Sequence, residues 1–424
     1  MQMNKQQGSS GYLKFIAENP HLLAFGFALT FASSLGQTFF IGSFGPSILK
    51  EFELSHTAWG SIYMTGTIMS ALCLPLTGQL IDRFPLKIYT IIVVSGLCVS
   101  GLFISFNSSF WLLIPIIFCL RHTGQGLTSH VAITTMARHF SKGRGKAVAL
   151  ASLGYAFGES FLPLIVVITI GVFGWRTTYG ITSILLGIGI IPLILWLLRK
   201  SLLGPQGNTN NNYVIEKISI STTKSWTRRE MLSDWRFYLL LPAVVAPSFI
   251  GTALFFHHLT LAEAKNWSAV WFTGSYWVYA VGSMTASLTF GPVIDRITAI
   301  KSVPFFLMPK ICALIIIWAF NDPIWAWPYL LLLGLNVGMT YTGLTALWAE
   351  LYGPKHLGAI RSLIVAITVL ASALGPPVMG FMIDTDISMG NICIIFAIYC
   401  VIATIFIFVG LRSTETRVER HLGS

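Results

Sequence analysis

The chain has 424 residues, of which 54% are hydrophobic and only 10% are charged, against roughly 25% charged in soluble domains. This composition excludes a water-soluble globular protein. The formal net charge of +11 suits either nucleic-acid binding or membrane topology, and the positions of the basic residues decide between these two interpretations.

Apolar segments of about 20 residues recur along the chain, and each is long enough to cross the hydrocarbon core as a helix. Twelve spans are predicted, at residues 21–48, 58–80, 87–106, 110–137, 146–171, 175–199, 236–262, 267–294, 302–320, 324–350, 357–383 and 390–411. The longest interruption has the composition of a flexible connector. The predicted order is a tail (1–20), a six-helix bundle (21–199), the connector (200–235), a second six-helix bundle (236–411) and a tail (412–424).

Lysines and arginines are distributed unevenly across the predicted membrane. With both termini on the side of the connector, 22 of the 27 lie on that side, three lie opposite, and Arg121 and Lys310 lie within spans. The positive-inside rule then predicts a multi-pass protein of the cell (inner) membrane with both termini cytoplasmic. Because topology explains the net charge, we expect no nucleic-acid partner. The expected partners are the lipid bilayer, a small-molecule solute and a proton or other coupling ion, and we expect a monomer.

The two halves of the chain share an internal repeat. Ile81-Asp82-Arg83 recurs as Ile294-Asp295-Arg296, an offset of 213 residues. The same offset relates three further pairs: Gly78 and Gly291, Gly145 and Gly358, Pro163 and Pro376. An even number of spans in each half gives the halves parallel topology, which is typical of transporter folds.

The loop between the second and third spans carries a family resemblance. Residues 78–87 read Gly-Gln-Leu-Ile-Asp-Arg-Phe-Pro-Leu-Lys. This segment resembles the loop signature of the major facilitator superfamily, which has Gly, then Asp four residues later, then Arg and a further basic residue. The resemblance covers the whole chain and implies an all-α membrane protein with twelve transmembrane helices in two six-helix bundles. Phe84 and Pro85 depart from the pattern, since the family often has a second glycine there.

The resemblance implies that this loop holds the cytoplasmic gate in the outward-facing state and releases it during alternating access. The gating residues implied here are Gly78, Asp82, Arg83, Gly291, Asp295 and Arg296. The alternative is a solvated turn that obeys the positive-inside rule.

Arg121 lies near the centre of the fourth predicted span, ~16 Å below its outer end at helical rise. A cation at that depth costs at least ~2.5–3.5 kcal/mol, so its side chain should face protein or water and have a partner. The segment after it resembles the superfamily's Arg-and-Gly motif imperfectly, with Gly124 and Gly126 three and five residues after the arginine. Arg121 is predicted to bind an anionic solute, and the alternative is structural pairing.

Glu159 is the carboxylate predicted nearest the middle of a span, in the fifth, at nearly the depth of Arg121. A buried carboxylate is either paired or protonated, and these are the two states of a proton switch. The alternative is a permanent Arg121–Glu159 pair that ties two helices together. Ser372 occupies the equivalent position in the second half.

Histidines titrate near physiological pH, so those in spans are candidate proton relays, and His122 and His257 are the proton-coupling candidates. A single membrane histidine can instead be a satisfied hydrogen-bonding residue, and the adjacent His257 and His258 cannot both point at one metal ion. Lys310 in the ninth span is expected to extend toward the cytoplasmic interface. If it faces inward instead, it would add a second cation for an anionic solute.

Four further polar residues lie on helices that line the cavity in the superfamily: Gln37, Gln125, Asn336 and Tyr341. They are predicted to bind the solute. Polar side chains also join membrane helices to each other, so a structural role is the alternative for each.

Signatures of enzyme chemistry and cofactor binding are missing from the sequence. It contains no Walker loop, no dinucleotide-binding fingerprint after a strand, no HExxH and no GxSxG, and its six cysteines lack metal-type spacing. We therefore expect no enzyme, no cofactor and no metal site.

The leading hypothesis is a proton-coupled symporter for a small organic anion such as a monocarboxylate. The segment from Arg138 to Lys146 supports it, because that segment is similar to the basic loop before the fifth span of monocarboxylate and oxalate-type carriers. One alternative is a proton-driven efflux carrier for amphipathic compounds, lined by aromatic residues such as Trp271, Trp277 and Trp348. The other is a non-transporting receptor or scaffold with a transporter fold.

Overall fold

The computed structural model describes residues 10–140, 143–202, 225–353 and 355–422. Within these ranges the chain is helical, without β-strands. The prediction of an all-α membrane protein is confirmed. Most of the predicted connector (203–224), part of the predicted basic loop (141–142) and the chain ends lie outside the described residues.

Eleven helical segments of the described chain are long and apolar enough to cross a membrane, and they correspond to the second through twelfth predicted spans. They are His56–Asp82, Leu86–Phe106, Phe110–His139, Arg144–Phe173, Trp175–Lys200, Trp235–Phe256, Ala269–Ile297, Ala299–Ala319, Pro323–Tyr352, Leu357–Asp384 and Met389–Arg412. The largest difference from prediction is in the seventh span, which ends at Phe256, with the short helix His258–Ala264 following it.

The first predicted span is a chain of short helices rather than one continuous helix. Its parts are the α-helix Pro20–Ala32, the 3₁₀ turn Ser33–Gly36, and the α-helices Thr38–Ser43 and Gly45–Glu51. Serine pairs and glycine favour kinks, and here Ser33, Ser34 and Gly36 occupy the turn. The Ser33 hydroxyl donates to the Thr30 carbonyl at 2.7 Å, and Gln37 is extended with ψ 157°. The span is therefore discontinuous near its middle.

The chain divides into two compact units. Among the described residues, the first comprises 10–41, 69–140, 143–162 and 168–202, and the second comprises 42–68, 163–167, 225–353 and 355–422. The end of the first span and the start of the second thus belong to the same compact unit as the second half of the chain. The predicted division at the connector into two bundles remains a prediction.

Small residues set the helix packing of the first unit. The Thr30 hydroxyl donates to the Ala151 carbonyl at 2.5 Å. A Cβ on Gly154 would lie 2.2 Å from the Thr30 hydroxyl oxygen, and one on Gly158 would lie 2.1 Å from that of Ser34. Glycine is therefore needed at both positions for the first and fifth spans to approach this closely, a common device in membranes, where hydrophobicity does not drive helix association.

Glycine also allows close helix packing in the second unit, between the eighth and tenth spans of the chain. A Cβ on Gly334 would lie 2.1 Å from the Tyr279 carbonyl oxygen, and one on Gly282 would lie 2.4 Å from that of Leu331. A continuous cluster of buried apolar residues extends through this unit from Met231 to Leu411. These two spans are therefore locked in register by backbone contact.

Candidate functional site

Arg121 lies at the break of the first span. Its side chain is 2% exposed, and its Nη1 donates to the Gly36 carbonyl at 2.9 Å. Gly36 is the last residue of the 3₁₀ turn, where the regular α-helical hydrogen bonding of the span is interrupted. The buried cation is thus held against a carbonyl dipole at a helix irregularity.

The backbones of the first and fourth spans touch at this point. A Cβ on Gly36 would lie 2.3 Å from the Leu120 carbonyl oxygen and 2.8 Å from the Gln125 nitrogen. A Cβ on Gly124 would lie 2.7 Å from the Gly36 Cα. Since every one of these neighbours is a backbone atom, neither glycine can be replaced without moving a helix.

The fourth span is π-helical where it meets the break. The π-helix runs over Arg121–Thr128, between the α-helices Leu113–Leu120 and Ser129–His139. The Thr128 hydroxyl bonds back to the Thr123 carbonyl at 2.6 Å, five residues earlier. π-Helical segments are rare and occur frequently at functional sites. Two irregular helices therefore meet around Arg121.

Glu159 belongs to the same compact unit but forms no ion pair with Arg121. Its side chain is half-buried, and among the described residues no salt bridge joins it to a basic group. It follows Gly158, which packs on Ser34 at the break of the first span. The permanent Arg121–Glu159 pair considered from the sequence is therefore absent from this structure.

His122 joins the second and fourth spans. Its Nε2 lies 3.0 Å from the Thr77 hydroxyl, its Nδ1 lies 3.4 Å from the Ser70 hydroxyl, and its ring stacks on Phe118. With both ring nitrogens facing hydroxyls, the geometry favours the structural alternative for this residue.

The four polar solute-binding candidates fall in different settings. Gln37 is half-buried at the end of the 3₁₀ turn, and Gln125 is exposed within the π-helix. Asn336 is fully buried and donates from Nδ2 to the Phe306 carbonyl at 2.8 Å, which ties the tenth span to the start of the ninth. Tyr341 is 74% exposed. Gln125 thus lies close to Arg121 along the chain, and Gln37 lies next to Gly36 at the break. The geometry of Asn336 is that of a hydrogen bond joining two helices.

The expectation that Lys310 extends to the interface is wrong. The side chain is 1% exposed, and its Nζ donates to the Pro247 carbonyl in the seventh span at 3.2 Å. Gly251, one helical turn after Pro247, leaves room for it, with a Cβ there 3.7 Å from Nζ. Lys310 lies between helices because its ammonium group reaches a carbonyl acceptor there. The side chain therefore does not need to extend to the cytoplasmic interface.

The two loop motifs differ. Asp82 forms an ion pair with Arg138, whereas its sequence neighbour Arg83 forms no ion pair within the described residues. Both partners are about half exposed. Asp295, by contrast, is exposed and forms no ion pair within the described residues. The repeat explains the difference, because the 213-residue offset maps Arg138 onto Leu351.

A carboxylate from the eleventh span holds the start of the second span. Asp384 Oδ1 accepts from the His56 nitrogen at 2.9 Å and lies 3.1 Å from His56 Nδ1. Asp384 Oδ2 accepts from the Thr57 nitrogen at 2.8 Å and from the Thr57 hydroxyl at 2.6 Å. These contacts all lie within the second compact unit, at the end predicted to face outward.

His257 lies beside this contact. Its Nε2 is 2.9 Å from the Pro376 carbonyl, and its ring centroid is 5.8 Å from that of His56. The neighbouring His258 points elsewhere, with its Nδ1 2.7 Å from the Phe255 carbonyl and its Nε2 3.4 Å from the Ser43 hydroxyl. The adjacent histidines thus have separate partners, as expected for neighbours on a helical chain.

Sequence reasoning missed the break in the first span, the π-helix and the Asp384 contact. Two of these had a signal in the sequence. The serine pair before Gly36 marks a weak point in a helix, and the unusual glycine spacing after Arg121 coincides with the π-helix. The Asp384 contact joins residues 328 apart and had no local signal.

The comparisons with known proteins agree with this architecture. Residues 26–365 match the family model described as the Major Facilitator Superfamily. A search of curated proteins found no sequence match.

Several solved transporters share the fold. A bacterial homologue of the human lysosomal transporter Spinster, in an inward-facing and occupied conformation, aligns with a TM-score of 0.71 at 16% identity, over 96% of this chain and 98% of that chain. Its inward-facing and unoccupied conformation gives 0.66 at 17% identity, with the same coverage. The nucleoside transporter NupG aligns with 0.69 at 10% identity, over 92% of this chain and 98% of that chain.

Proposed function

Because the chain belongs to the major facilitator superfamily, we propose that it carries a small organic anion, of the monocarboxylate kind, across the membrane by alternating access with proton coupling. The observation that carries the proposal is the buried guanidinium of Arg121 at the meeting point of two irregular helices. A cation inside the bilayer is expensive and is typically retained for a function.

Arg121 has the chemistry to recognise a carboxylate. A guanidinium presents donors in a planar fork that matches both oxygens of a carboxylate, and such charge-assisted pairs are roughly twice as strong as neutral hydrogen bonds. The Gly36 carbonyl, a neutral acceptor 2.9 Å away, would compete with the solute for the guanidinium. Binding of the anion would therefore loosen the contact between the first and fourth spans.

Glu159 is the proposed proton carrier. It has no basic partner among the described residues, so its charge is not neutralised by an ion pair. Protonation would neutralise this carboxylate, and proton release would recharge it. Movement of an anion together with a proton is electroneutral, which avoids carrying net charge through the hydrocarbon.

The aromatic residues offer less support for efflux of amphipathic compounds. Trp348 is 2% exposed and stacks on Tyr352 within the apolar cluster of the second unit. Trp271 stacks on Trp327 and donates from Nε1 to the Pro323 carbonyl, at the ends of spans where tryptophans commonly anchor in the interface. Within the part of the chain that the structure describes, no specific contact favours this alternative over the anion carrier.

The test is uptake of a radiolabelled monocarboxylate such as acetate or lactate into proteoliposomes, with and without an imposed pH gradient. We expect the gradient to stimulate uptake, Arg121→Gln to lower uptake by at least about tenfold, the equivalent of about 1.4 kcal/mol, and Glu159→Gln to remove the stimulation. Arg199→Gln and Glu263→Gln are matched controls, because both side chains are exposed.

Uptake that ignores the gradient and survives Glu159→Gln would defeat the coupling mechanism. Tight binding of lipophilic cations but not of anions would favour efflux. Binding of a ligand without movement of any solute would favour the receptor alternative.

A further inference from the structure

The start of the second span is capped twice. Its own Ser55 hydroxyl accepts from the Ala58 nitrogen at 3.1 Å, which is the usual N-cap arrangement for a helix. Asp384, from the eleventh span, adds a carboxylate that accepts from the backbone nitrogens of both His56 and Thr57. Carboxylates at helix N-termini are stabilised by unpaired N–H groups and by the helix dipole.

The repeat indicates that the second cap is not needed to start the helix. The 213-residue offset maps Ser55 onto Ser268, which caps the eighth span through the Trp271 nitrogen at 3.5 Å. The same offset maps Asp384 onto Gly171, so the equivalent carboxylate is missing there. A span of this type can thus begin with serine alone, and Asp384 must serve something other than helix initiation.

Close backbone packing surrounds the Asp384 contact. A Cβ on Gly60 would lie 2.6 Å from the Pro377 nitrogen, and one on Gly380 would lie 2.5 Å from the His56 carbonyl carbon. The two glycines thus allow the second and eleventh spans to touch at the backbone, one helical turn apart.

Aromatic side chains continue this contact toward the seventh span. Phe256 packs on Trp59 and Tyr63, with ring centroids 5.5 Å and 4.7 Å away. A Cβ on Gly42, in the first span, would lie 2.6 Å from the Phe255 carbonyl oxygen. We refer to Gly42, Trp59, Gly60, Tyr63, Phe256, Pro377 and Gly380 as the outer seal.

We propose that Asp384 is a reversible clamp that holds the outer seal closed, and that opening toward the outside requires its release from His56 and Thr57. The proposal rests on alternating access in the proposed function, but not on which solute moves. Glycine contacts and tilted aromatic rings hold the seal together without charge, so they can separate and re-form. The carboxylate contributes a directional contact that is made in one state and replaced by water in the other.

The position of the clamp suits this role. The Asp384 and His56 side chains are 22% and 27% exposed, so water can take over the hydrogen bonds on release. A fully buried carboxylate would be left without partners at that moment, which would oppose opening strongly. The clamp can therefore stabilise the closed state without making it irreversible.

The experiment measures how fast a membrane-impermeant maleimide, applied from outside, labels Ser43→Cys, which lies beside Gly42 and is 2% exposed. The parent protein without this cysteine supplies the background from native cysteines. We expect Asp384→Asn to raise the labelling rate by about tenfold, or about 1.4 kcal/mol in the opening equilibrium. Thr57→Val should raise it less, because it removes only the hydroxyl bond and keeps both backbone bonds.

Asp386→Asn is the matched control, because Asp386 is an exposed aspartate two residues further on, and its positive φ of 59° suits asparagine. It should leave the labelling rate unchanged. Equal rates for Asp384→Asn and Asp386→Asn, in proteins with the same apparent melting temperature, would overturn the proposal. Because labelling needs no solute, faster labelling without anion uptake would leave the clamp standing and defeat the proposed substrate.

Discussion

Two cations inside the spans are held by backbone carbonyls of neighbouring helices. Arg121 donates to the carbonyl of Gly36 at a break in the first span, and Lys310 donates to the carbonyl of Pro247 in a proline-containing helix. Helix irregularities in membranes are tolerated when neighbouring groups satisfy the freed backbone atoms. At Gly36 the cation and the irregular backbone thus stabilise each other, and at Pro247 a helix carbonyl holds the ammonium group of Lys310.

Lys310 tests this explanation, because the same side chain could instead add to an anion site. Lys310→Met keeps a long, flexible side chain and removes a buried charge, so we expect the apparent melting temperature to be unchanged or raised. Anion uptake should keep its KM within about twofold, because the charge contacts a helix carbonyl rather than solute. Kinetics in proteoliposomes check this, with the exposed Lys301→Met as control. A KM raised tenfold would identify Lys310 as part of the anion site.

At the scale of single residues, the sequence identifies which residues are unusual for a membrane span but not what they contact. Hydropathy alone was enough to single out Arg121 and Glu159 as charges within spans. It could not show that Arg121 bonds Gly36 rather than Glu159, since that choice depends on how two helices pack. The same limit explains Lys310, whose carbonyl acceptor lies 63 residues away in the chain.

At the scale of whole helices, the main feature is the contact between two irregular helices, the first and fourth spans. Eleven spans follow from hydropathy, because a segment must be apolar throughout to cross the bilayer, and only the end of the seventh differs from prediction by more than three residues. The break in the first span and the π-helix in the fourth leave hydropathy unchanged, so a length-based prediction passes over them. The first and fourth spans meet at Gly36 and Gly124, whose backbones are in contact.

Gly36→Ala should disrupt this meeting point. The added methyl group would lie 2.3 Å from the Leu120 carbonyl oxygen, so a helix must shift, and overpacking of this kind costs typically about 1–3 kcal/mol. We expect a lower apparent melting temperature and loss of most anion uptake.

Gly171→Ala is the control for that substitution, because nothing lies within 4 Å of a Cβ there. Inside a helix, alanine is favoured over glycine by about 1 kcal/mol, so this variant should be as stable as the parent or more so. Equal melting temperatures and uptake for the two variants would show that the first and fourth spans are not held together at Gly36.

The whole molecule combines a sequence repeat with asymmetric chemistry. The 213-residue offset relates the loop motifs, the serine caps of the second and eighth spans, and the prolines of the fifth and eleventh. It also maps Glu159 onto Ser372, which hydrogen-bonds Thr252 at 2.7 Å and carries no charge. The shared fold therefore follows from the repeat, whereas ionisable groups within the spans, such as Arg121 and Glu159, occur in one copy only. Comparison of the two copies identifies the positions where the chemistry differs between the halves, but not the residues that each group contacts.

The unequal distribution of basic residues makes a prediction for the molecule in its membrane. With 22 of 27 lysines and arginines on the side of the termini and connector, an epitope tag after Ser424 should be cytoplasmic. Added protease should digest it in inverted vesicles but not in intact cells. A tag between Asn107 and Ser108, in the predicted outer turn between the third and fourth spans, should behave in the opposite way. Digestion of the terminal tag in intact cells would show that the topology is the inverse of the predicted one. Asp384 would then clamp the cytoplasmic end.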